Sequence, residues 1–261
     1  MIPRARHDPE AVKLSHEQTS RDTSAPRESV VSIERPDREP ARMPGYPSQL
    51  SSRASEIAED RAVFGQVMGL VACTVGCLAL GAYVGRHLAG GAGIGFFAGS
   101  FGCIIGLSLA SARGREQVAT ALLLSMGLLL GLAVGPVIST YANADPAALW
   151  QAAGATGAFV AALGAGGYAT RRDLSNWVRG LFWSLIALIV FGIVAIFVSI
   201  PHVNVIYAIA GLVIFGGFTV VDFNRLRGSG IESAVPIAAN IFLDIFNVFL
   251  LFLQLFGDER E

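Results

Sequence analysis

Long apolar runs dominate the chain beyond residue 62. Seven of them can be distinguished, at about 63–85, 90–110, 118–140, 148–170, 177–199, 203–221 and 234–256. Each is close to the roughly 20 residues that an α-helix needs to cross the hydrocarbon core of a bilayer. The segments between the runs are short and contain Arg, Asp, His and Pro. The pattern therefore predicts an all-α polytopic membrane protein, with a bundle of seven transmembrane helices over residues 59–257.

The first 58 residues have a different composition. Residues 1–61 hold 10 Lys or Arg and 11 Asp or Glu, whereas the other 200 residues hold nine of each sign. The segment is also rich in Pro and Ser and has no sustained apolar period, so it buries too little surface to offset the entropy cost of ordering. We predict a disordered tail over 1–58. It is too acidic for a mitochondrial presequence and lacks the apolar run of a secretory signal, so the first membrane helix is expected to act as the insertion signal.

Overall composition agrees with the membrane class. Hydrophobic residues make up 53% of the 261-residue chain and charged residues only 15%, against about 25% charged in an average soluble domain. Its 30 glycines recur at close spacing, as in the stretch GATGAFVAALGAGG over 154–167. In lipid, small residues allow two helix backbones to approach closely, so we interpret these glycines as packing residues. No strand or Lys-Ser/Thr context accompanies them, so a phosphate-binding loop is excluded.

The placement of arginine predicts the orientation of the bundle. The links between helices 2 and 3, 4 and 5, and 6 and 7 contain seven arginines, namely Arg113, Arg115, Arg171, Arg172, Arg179, Arg225 and Arg227. The opposite side has only Arg86 and Arg260. Because positive loops collect on the cytoplasmic side, we expect a cytoplasmic N-terminus and an external C-terminus. Arginine in place of lysine, with much Ala and Gly, indicates a GC-rich bacterial genome and hence the cytoplasmic (inner) membrane.

Two acidic residues lie within the predicted spans. Asp222 ends the sixth apolar run, and Asp244 lies at the centre of the seventh. A charged Asp at the middle of a bilayer costs roughly 2.5 to 3.5 kcal/mol on insertion scales. Asn240 and Asn247 lie four residues before and three after Asp244, and therefore share its helical face, with Gln254 further along. This polar stripe is expected to face protein or water rather than lipid.

The two aspartates form the candidate site. If helices 6 and 7 are neighbours, their short link brings Asp222 and Asp244 close enough to share a proton, because adjacent carboxylates resist double ionisation. A change of charge inside a bundle biases which packing is favoured. The ionised oxygens would also attract a hard cation such as Ca2+. Arg113 at the end of helix 2 is a candidate latch for an ionised Asp through a charge-assisted bond.

Each of these residues also has a structural interpretation. Asp222 can form a boundary salt bridge with Arg225 or Arg227. Asp244 can make a buried structural hydrogen bond, and Arg113 can simply mark the cytoplasmic side.

The sequence resembles the Bax inhibitor-1 family, also called the transmembrane Bax inhibitor motif family, in three segments that occur in order. The first is GLLLGLAVGPVISTY over 127–141, and the second is GAFVAALGAGGYATRRDLSNW over 157–177. The third, over 215–257, has an Asp ending helix 6 followed by a Leu-Asp-x-x-Asn core in helix 7. The likeness covers about residues 60–257 and omits the tail.

The resemblance implies a seven-helix bundle in which the other helices enclose helix 7, and a calcium leak that depends on pH. It implies that Asp222 and Asp244 are a proton-sharing sensor and ion gate, with Arg113 as a possible latch. Expected partners are the lipid bilayer, Ca2+ as the transported ion and protons, with other membrane proteins as further candidates; no tightly bound cofactor and no nucleic acid are expected. The alternative function is a non-transport regulator or scaffold that binds membrane proteases or stress-response partners.

Enzymatic functions fit the sequence poorly. Intramembrane aspartyl proteases resemble one another in a Gly-x-Gly-Asp stretch. This chain lacks it, because Val220 and Val221 precede Asp222. A retinal-binding pump needs a membrane lysine, and the only lysine is Lys13 in the tail. The four histidines lie at links or in the tail, so a Ser-His-Asp arrangement is not available. Cys73 and Cys77 share a helix face but lack the further ligands that zinc needs.

Overall fold

The computed structural model describes residues 46–88, 91–198 and 201–258. Within these ranges the protein is all-helical, with seven α-helices, each long and apolar enough to span a membrane. The helices are α1 (Tyr46–Gly85), α2 (Ala92–Ala112), α3 (Glu116–Ala144), α4 (Pro146–Ala169), α5 (Ser175–Phe197), α6 (Val203–Arg227) and α7 (Ala234–Asp258). A single turn of 3-10 helix, Ile231–Ser233, leads into α7. The predicted seven-helix architecture is confirmed.

Two helix boundaries differ from the prediction by more than a few residues. Helix α1 begins at Tyr46, so residues 46–58, which the sequence placed in the tail, are helical. The only proline there is Pro47 in the first turn of α1, where proline is tolerated, so nothing in this stretch breaks the helix. The rest of the predicted disordered tail, residues 1–45, lies outside the described residues. Helix α6 runs six residues past its predicted end at 221, because the polar side chains that end the apolar run find partners within the bundle.

Local signals explain the tight connections between helices. Asp145 caps α4, its carboxylate accepting a hydrogen bond of 3.1 Å from the backbone N–H of Ala148, and Pro146 occupies the first helical position. Both choices suit a helix N-terminus, where a backbone donor would otherwise lack a partner. Gly114, between α2 and α3, has a φ of 66°, a conformation that glycine adopts without steric cost.

Helix α7 lies at the centre of the bundle, as predicted. It packs against α1, α2, α3, α4 and α6. In its most apolar stretch 56% of the residues are buried, against 33% or less in each of the other six helices. Ile241, Phe242, Val248 and Leu253 are almost completely enclosed. The middle of the seventh helix is therefore enclosed by protein, and Asp244 at this place is buried.

Glycines set the close contact between α1 and α3. Gly127, Gly131 and Gly135 recur every four residues along one face of α3. A β-carbon on Gly131 would collide with the backbone oxygen of Leu78 in α1, and one on Gly81 would collide with the α3 backbone. The two backbones approach so closely that a methyl group does not fit between them, which supports the interpretation of these glycines as packing residues.

A large cleft opens on the side of the bundle between α1 and α4, with walls from α3 and α7. Its volume is about 1450 Å³, and apolar side chains such as Phe64, Phe242 and Phe246 form most of its lining. Arg61, within α1, and Arg86, directly after that helix, also line it. Neither aspartate of the candidate site lines this cleft.

Candidate functional site

Helices α6 and α7 bring the two predicted aspartates into one buried site. Asp222 and Asp244 are each only 5% exposed. Helices α6 and α7 pack against each other, and the two carboxyl groups are near enough to interact electrostatically. The connection between the helices is short, residues 228–233, and this turns α7 back along α6. The structure therefore brings together the two acidic residues that the sequence singled out.

Asp222 has a basic partner on its own helix. The guanidinium of Arg225 lies 3.8 Å from the Asp222 carboxylate, three residues further along α6. The Arg225 side chain is 45% exposed whereas that of Asp222 is 8% exposed, so the ion pair joins a buried carboxylate to the surface. A salt bridge of this kind was one of the two interpretations of Asp222, and it coexists with the carboxylate pair.

Asp244 is less well satisfied. Its Oδ2 atom is buried and has no hydrogen-bond partner among the described residues. The Thr219 hydroxyl lies near the Asp244 carboxyl, but its hydrogen is donated to the carbonyl of Phe215 at 2.9 Å. A buried oxygen without a partner is costly in an apolar interior. A proton shared with Asp222, or a passing cation, would satisfy it.

The side chains of the predicted polar stripe of α7 differ in how far they are exposed. Asn247 is half-buried, and its amide donates to the Leu243 carbonyl of the same helix at 2.7 Å. Gln254 is also half-buried. Asn240 is exposed, six residues from the start of α7 and therefore close to the end of the bundle. The prediction that the stripe faces protein or water stays a prediction for Asn240, because the enclosing helices do not cover that part of the α7 face.

The three candidate arginines occupy different places. Arg113 follows α2 in an exposed turn, and among the described residues the ion pair of Asp222 is made by Arg225. Arg227 instead donates to the carbonyl of Thr170 at 3.0 Å and contacts that of Tyr168 at 3.5 Å. The latch role of Arg113 stays a prediction.

Asn224 fixes α6 to the end of α4, a role that the sequence analysis missed. Its side-chain amide donates to the carbonyl of Thr170 at 2.7 Å and to that of Gly167 at 3.3 Å. Gly167 permits this approach, since a β-carbon there would collide with the backbone of Val220. Thr219 was also missed. Its position three residues before Asp222, on the same helical face, was the available signal.

We expect Asn224→Ala to lower the stability of the bundle by about 1 kcal/mol, because it leaves carbonyl groups at the end of α4 with fewer donors. The measurement is thermal unfolding in detergent, followed by the loss of monodisperse protein. Asn143→Ala is the matched control, since the Asn143 amide donates only within its own helix, to Ser139, and is exposed. Equal losses in the two variants would contradict the tertiary role of Asn224.

The site supplies few ligands for a resident metal ion. Among the described residues, no group of three or more His, Cys, Asp or Glu side chains could hold one. The two carboxyl groups offer four oxygens, whereas Ca2+ takes roughly six to eight. Backbone carbonyls or water would have to complete the shell.

Comparison with known proteins places this helical bundle among relatives. A family described as "Inhibitor of apoptosis-promoting Bax1" matches residues 60–261. The inner membrane protein YbhL of Escherichia coli strain K12 is 26% identical over 178 residues, covering 64% of this chain and 75% of that protein. The Golgi anti-apoptotic protein of vaccinia virus strain Lister is 33% identical over 158 residues, covering 60% and 65% respectively. An uncharacterised protein of Helicobacter pylori strain 26695 is 26% identical over 163 residues, covering 62% and 70%.

Proposed function

Since the chain belongs to the Bax inhibitor-1 family of membrane proteins, we propose that it is a pH-sensitive leak pathway for Ca2+ or a similar cation, gated by Asp222 and Asp244. One observation carries the proposal: two neighbouring carboxyl groups are buried at the centre of an apolar bundle, and Oδ2 of Asp244 has no hydrogen-bond partner in the described residues. Intramembrane acidic residues at such a place characteristically serve ion or proton pathways.

The gate is closed in this arrangement. Both aspartates are buried, so a cation reaches their carboxyl groups only after α6 and α7 shift relative to their neighbours. A single shared proton removes the repulsion between the two carboxylates. When that proton leaves, Asp244 repels the Asp222 carboxylate and Arg225 attracts it, so both favour moving Asp222 away from Asp244. Proton loss therefore changes the balance between two packings of α6 against α7, which is how pH acts on the gate.

We place the cation route at the α6–α7 site and not in the cleft between α1 and α4. The cleft is lined mostly by apolar side chains, and an unpaired ion in an apolar environment is strongly disfavoured. The carboxylate oxygens of Asp222 and Asp244 are the ligand type that Ca2+ prefers.

We also propose that the N-terminus is cytoplasmic and the C-terminus external. The links after α2, α4 and α6 lie at one end of an up-and-down bundle and carry most of the arginines, which are favoured on the cytoplasmic side. The E. coli relative is an inner membrane protein by name, and this supports a bacterial cytoplasmic membrane as the location. The protein would act without catalysing a reaction.

The test is calcium flux into liposomes that hold the purified protein, measured between about pH 5 and 8, where a proton-sharing carboxylate pair would titrate. We expect wild-type flux to exceed that of empty liposomes and to depend on pH. Asp222→Asn should flatten the pH profile, because it removes one member of the pair and also the ion pair with Arg225. Flux no greater than in empty liposomes at every pH would exclude the leak.

A non-transport regulator is the second candidate, and the cleft favours it. An apolar opening of about 1450 Å³ on the side of the bundle would accept an apolar segment of another membrane protein, such as a protease or a stress-response component. In that case Asp222 and Asp244 would serve only to fix the packing of α6 and α7, and the purified protein would be silent in the flux assay.

A further inference from the structure

A second, polar pocket lies at the end of the bundle where α4 meets α5 and α6 meets α7. Its volume is about 450 Å³, and it is separate from the cleft between α1 and α4. Four arginines line it, two from the α4–α5 connection and two from the last turn of α6, namely Arg171, Arg172, Arg225 and Arg227. Asp173 is the acidic residue of the lining, so the pocket has a formal charge of four minus one, or +3.

The Asp173 carboxylate offsets only one of the four positive charges. The hydroxyl group and the backbone N–H of Ser175 both donate to Asp173, and these hydrogen bonds lower the pKa of its carboxyl group. Asp173 is therefore an ionised group, and both of these hydrogen bonds go to its Oδ1 atom. Among the described residues, the ion pair recorded for the four arginines is that of Arg225 with Asp222. A concave site with this surplus of guanidinium groups favours an anion.

The walls of the pocket are held in place by hydrogen bonds. Asn224 and Arg227 donate to the carbonyl of Thr170 at the end of α4. These bonds therefore hold the α4–α5 connection against the last turn of α6, the two segments that supply the arginines. Guanidinium groups presented from a fixed frame suit the bidentate geometry of a phosphate group.

Arg225 links this pocket to the buried carboxylates. Its guanidinium lies 3.8 Å from Asp222 while its side chain is 45% exposed, and it lines the pocket together with Asp173. It can therefore turn towards an anion in the pocket or towards the interior of the bundle. Arg113 and Arg115, in the exposed turn between α2 and α3, do not line the pocket.

We propose that this pocket binds a phosphate group, and that Arg225 moves from Asp222 to the phosphate when it does. The pocket lies at the ends of transmembrane helices, at the depth of lipid headgroups, so an anionic phospholipid and a free phosphate ion are the two sources of this group. The exchange of Arg225 leaves Asp222 without its positive partner. This second half rests on the proposed role of Asp222 in gating, whereas the binding itself does not.

The experiment measures binding of phosphatidylglycerol to the purified full-length chain in a neutral detergent by native mass spectrometry, with phosphatidylcholine for comparison. We expect the double variant Arg171→Gln and Arg172→Gln to weaken phosphatidylglycerol binding at least about tenfold, since two charge-assisted contacts are lost. The matched control is Arg113→Gln with Arg115→Gln, which removes the same charge at the same end of the bundle. Binding that falls equally in both double variants, or that does not prefer phosphatidylglycerol to phosphatidylcholine, would overturn the site unless free phosphate binds.

A second arm identifies the source of the phosphate. Inorganic phosphate is titrated against the wild type and both double variants, with thermal unfolding as the readout and chloride at equal ionic strength as the reference. Stabilisation by phosphate that disappears only in the Arg171 and Arg172 variant supports a site for the free ion. Selective lipid binding without this effect supports a headgroup site, and the lack of selective binding in both arms refutes the proposal.

The coupling to Asp222 is tested by calcium flux in liposomes with and without phosphatidylglycerol. We expect the lipid to shift the pH profile of the wild type but not that of the Arg171 and Arg172 variant. Selective binding with no flux at all would remove the proposed gating function and leave the phosphate site intact. Flux that depends on pH, but is equal in both lipids, would refute the coupling alone.

Discussion

Asp244→Asn is expected to abolish the pH dependence of calcium flux. Asn keeps the shape of the side chain but cannot ionise. Residue 244, next to Asp222, is therefore uncharged at every pH. In the wild type, adding or removing one charge in this buried site should change the packing equilibrium by more than about 1.4 kcal/mol, which is a tenfold change in populations. We therefore expect about a tenfold span of wild-type flux across the pH range, and a flat profile for the variant.

The matched control for this variant is Asp145→Asn. Asp145 is also an aspartate of the bundle, but it caps α4 at the start of that helix, and Asn caps a helix about as well as Asp. It should retain the wild-type pH profile. Asp244→Asn with an unchanged profile, in protein that remains monodisperse, would show that the carboxylate pair is not the sensor.

Gly81→Ala is expected to destabilise the bundle strongly. The added methyl group would collide with the carbonyl of Leu128 and lie about 3 Å from the backbone of Gly131 and Leu132. Backbone atoms cannot move aside as a flexible side chain can, so α1 and α3 must separate. Overpacking of this kind typically costs about 1–3 kcal/mol, and the separation would also disturb the contacts that α7 makes with both helices.

Gly76→Ala is the control on the same helix. A β-carbon at Gly76 has no neighbour within 4 Å, so only the better helix propensity of Ala remains, a gain of up to about 1 kcal/mol. Thermal unfolding in detergent should therefore move in opposite directions for the two variants. A Gly81→Ala protein as stable as the Gly76→Ala protein would contradict the close crossing of α1 and α3.

The hydrophobic pattern was sufficient to predict the positions of the helices but not to predict where their polar ends lie. The runs predicted α2 to α5 and α7 to within a few residues, because apolar length is a direct requirement of the bilayer. The sixth apolar run placed the end of helix 6 at 221, because polar residues such as Asp222, Asn224 and Arg225 are typical of a helix end at the membrane surface. In the structure these polar side chains interact with other residues of α6 and α7 and with the end of α4. The positions of these interaction partners are decided by helix packing.

For the two aspartates, too, the sequence predicted one part and the structure was needed for the rest. Two acidic residues in apolar runs were visible in the sequence, and so was the cost of placing them in lipid. Their proximity, the uncompensated Oδ2 of Asp244 and the partnership with Arg225 required the structure. The exposure of Asn240 could not be inferred from its helical face, because a face is buried only where a neighbouring helix covers it.

The sequence by itself therefore determined the class of the protein, the number of spans in the described part and the two acidic residues worth testing. These follow from composition and from periodicity along one chain, which need no knowledge of neighbours. Only the tertiary structure decided which glycines separate helix backbones, which arginine pairs with Asp222 and which four arginines form one pocket. Those features depend on contacts between residues distant in the chain, such as Asn224 with Thr170, and such contacts exist only once the helices have packed.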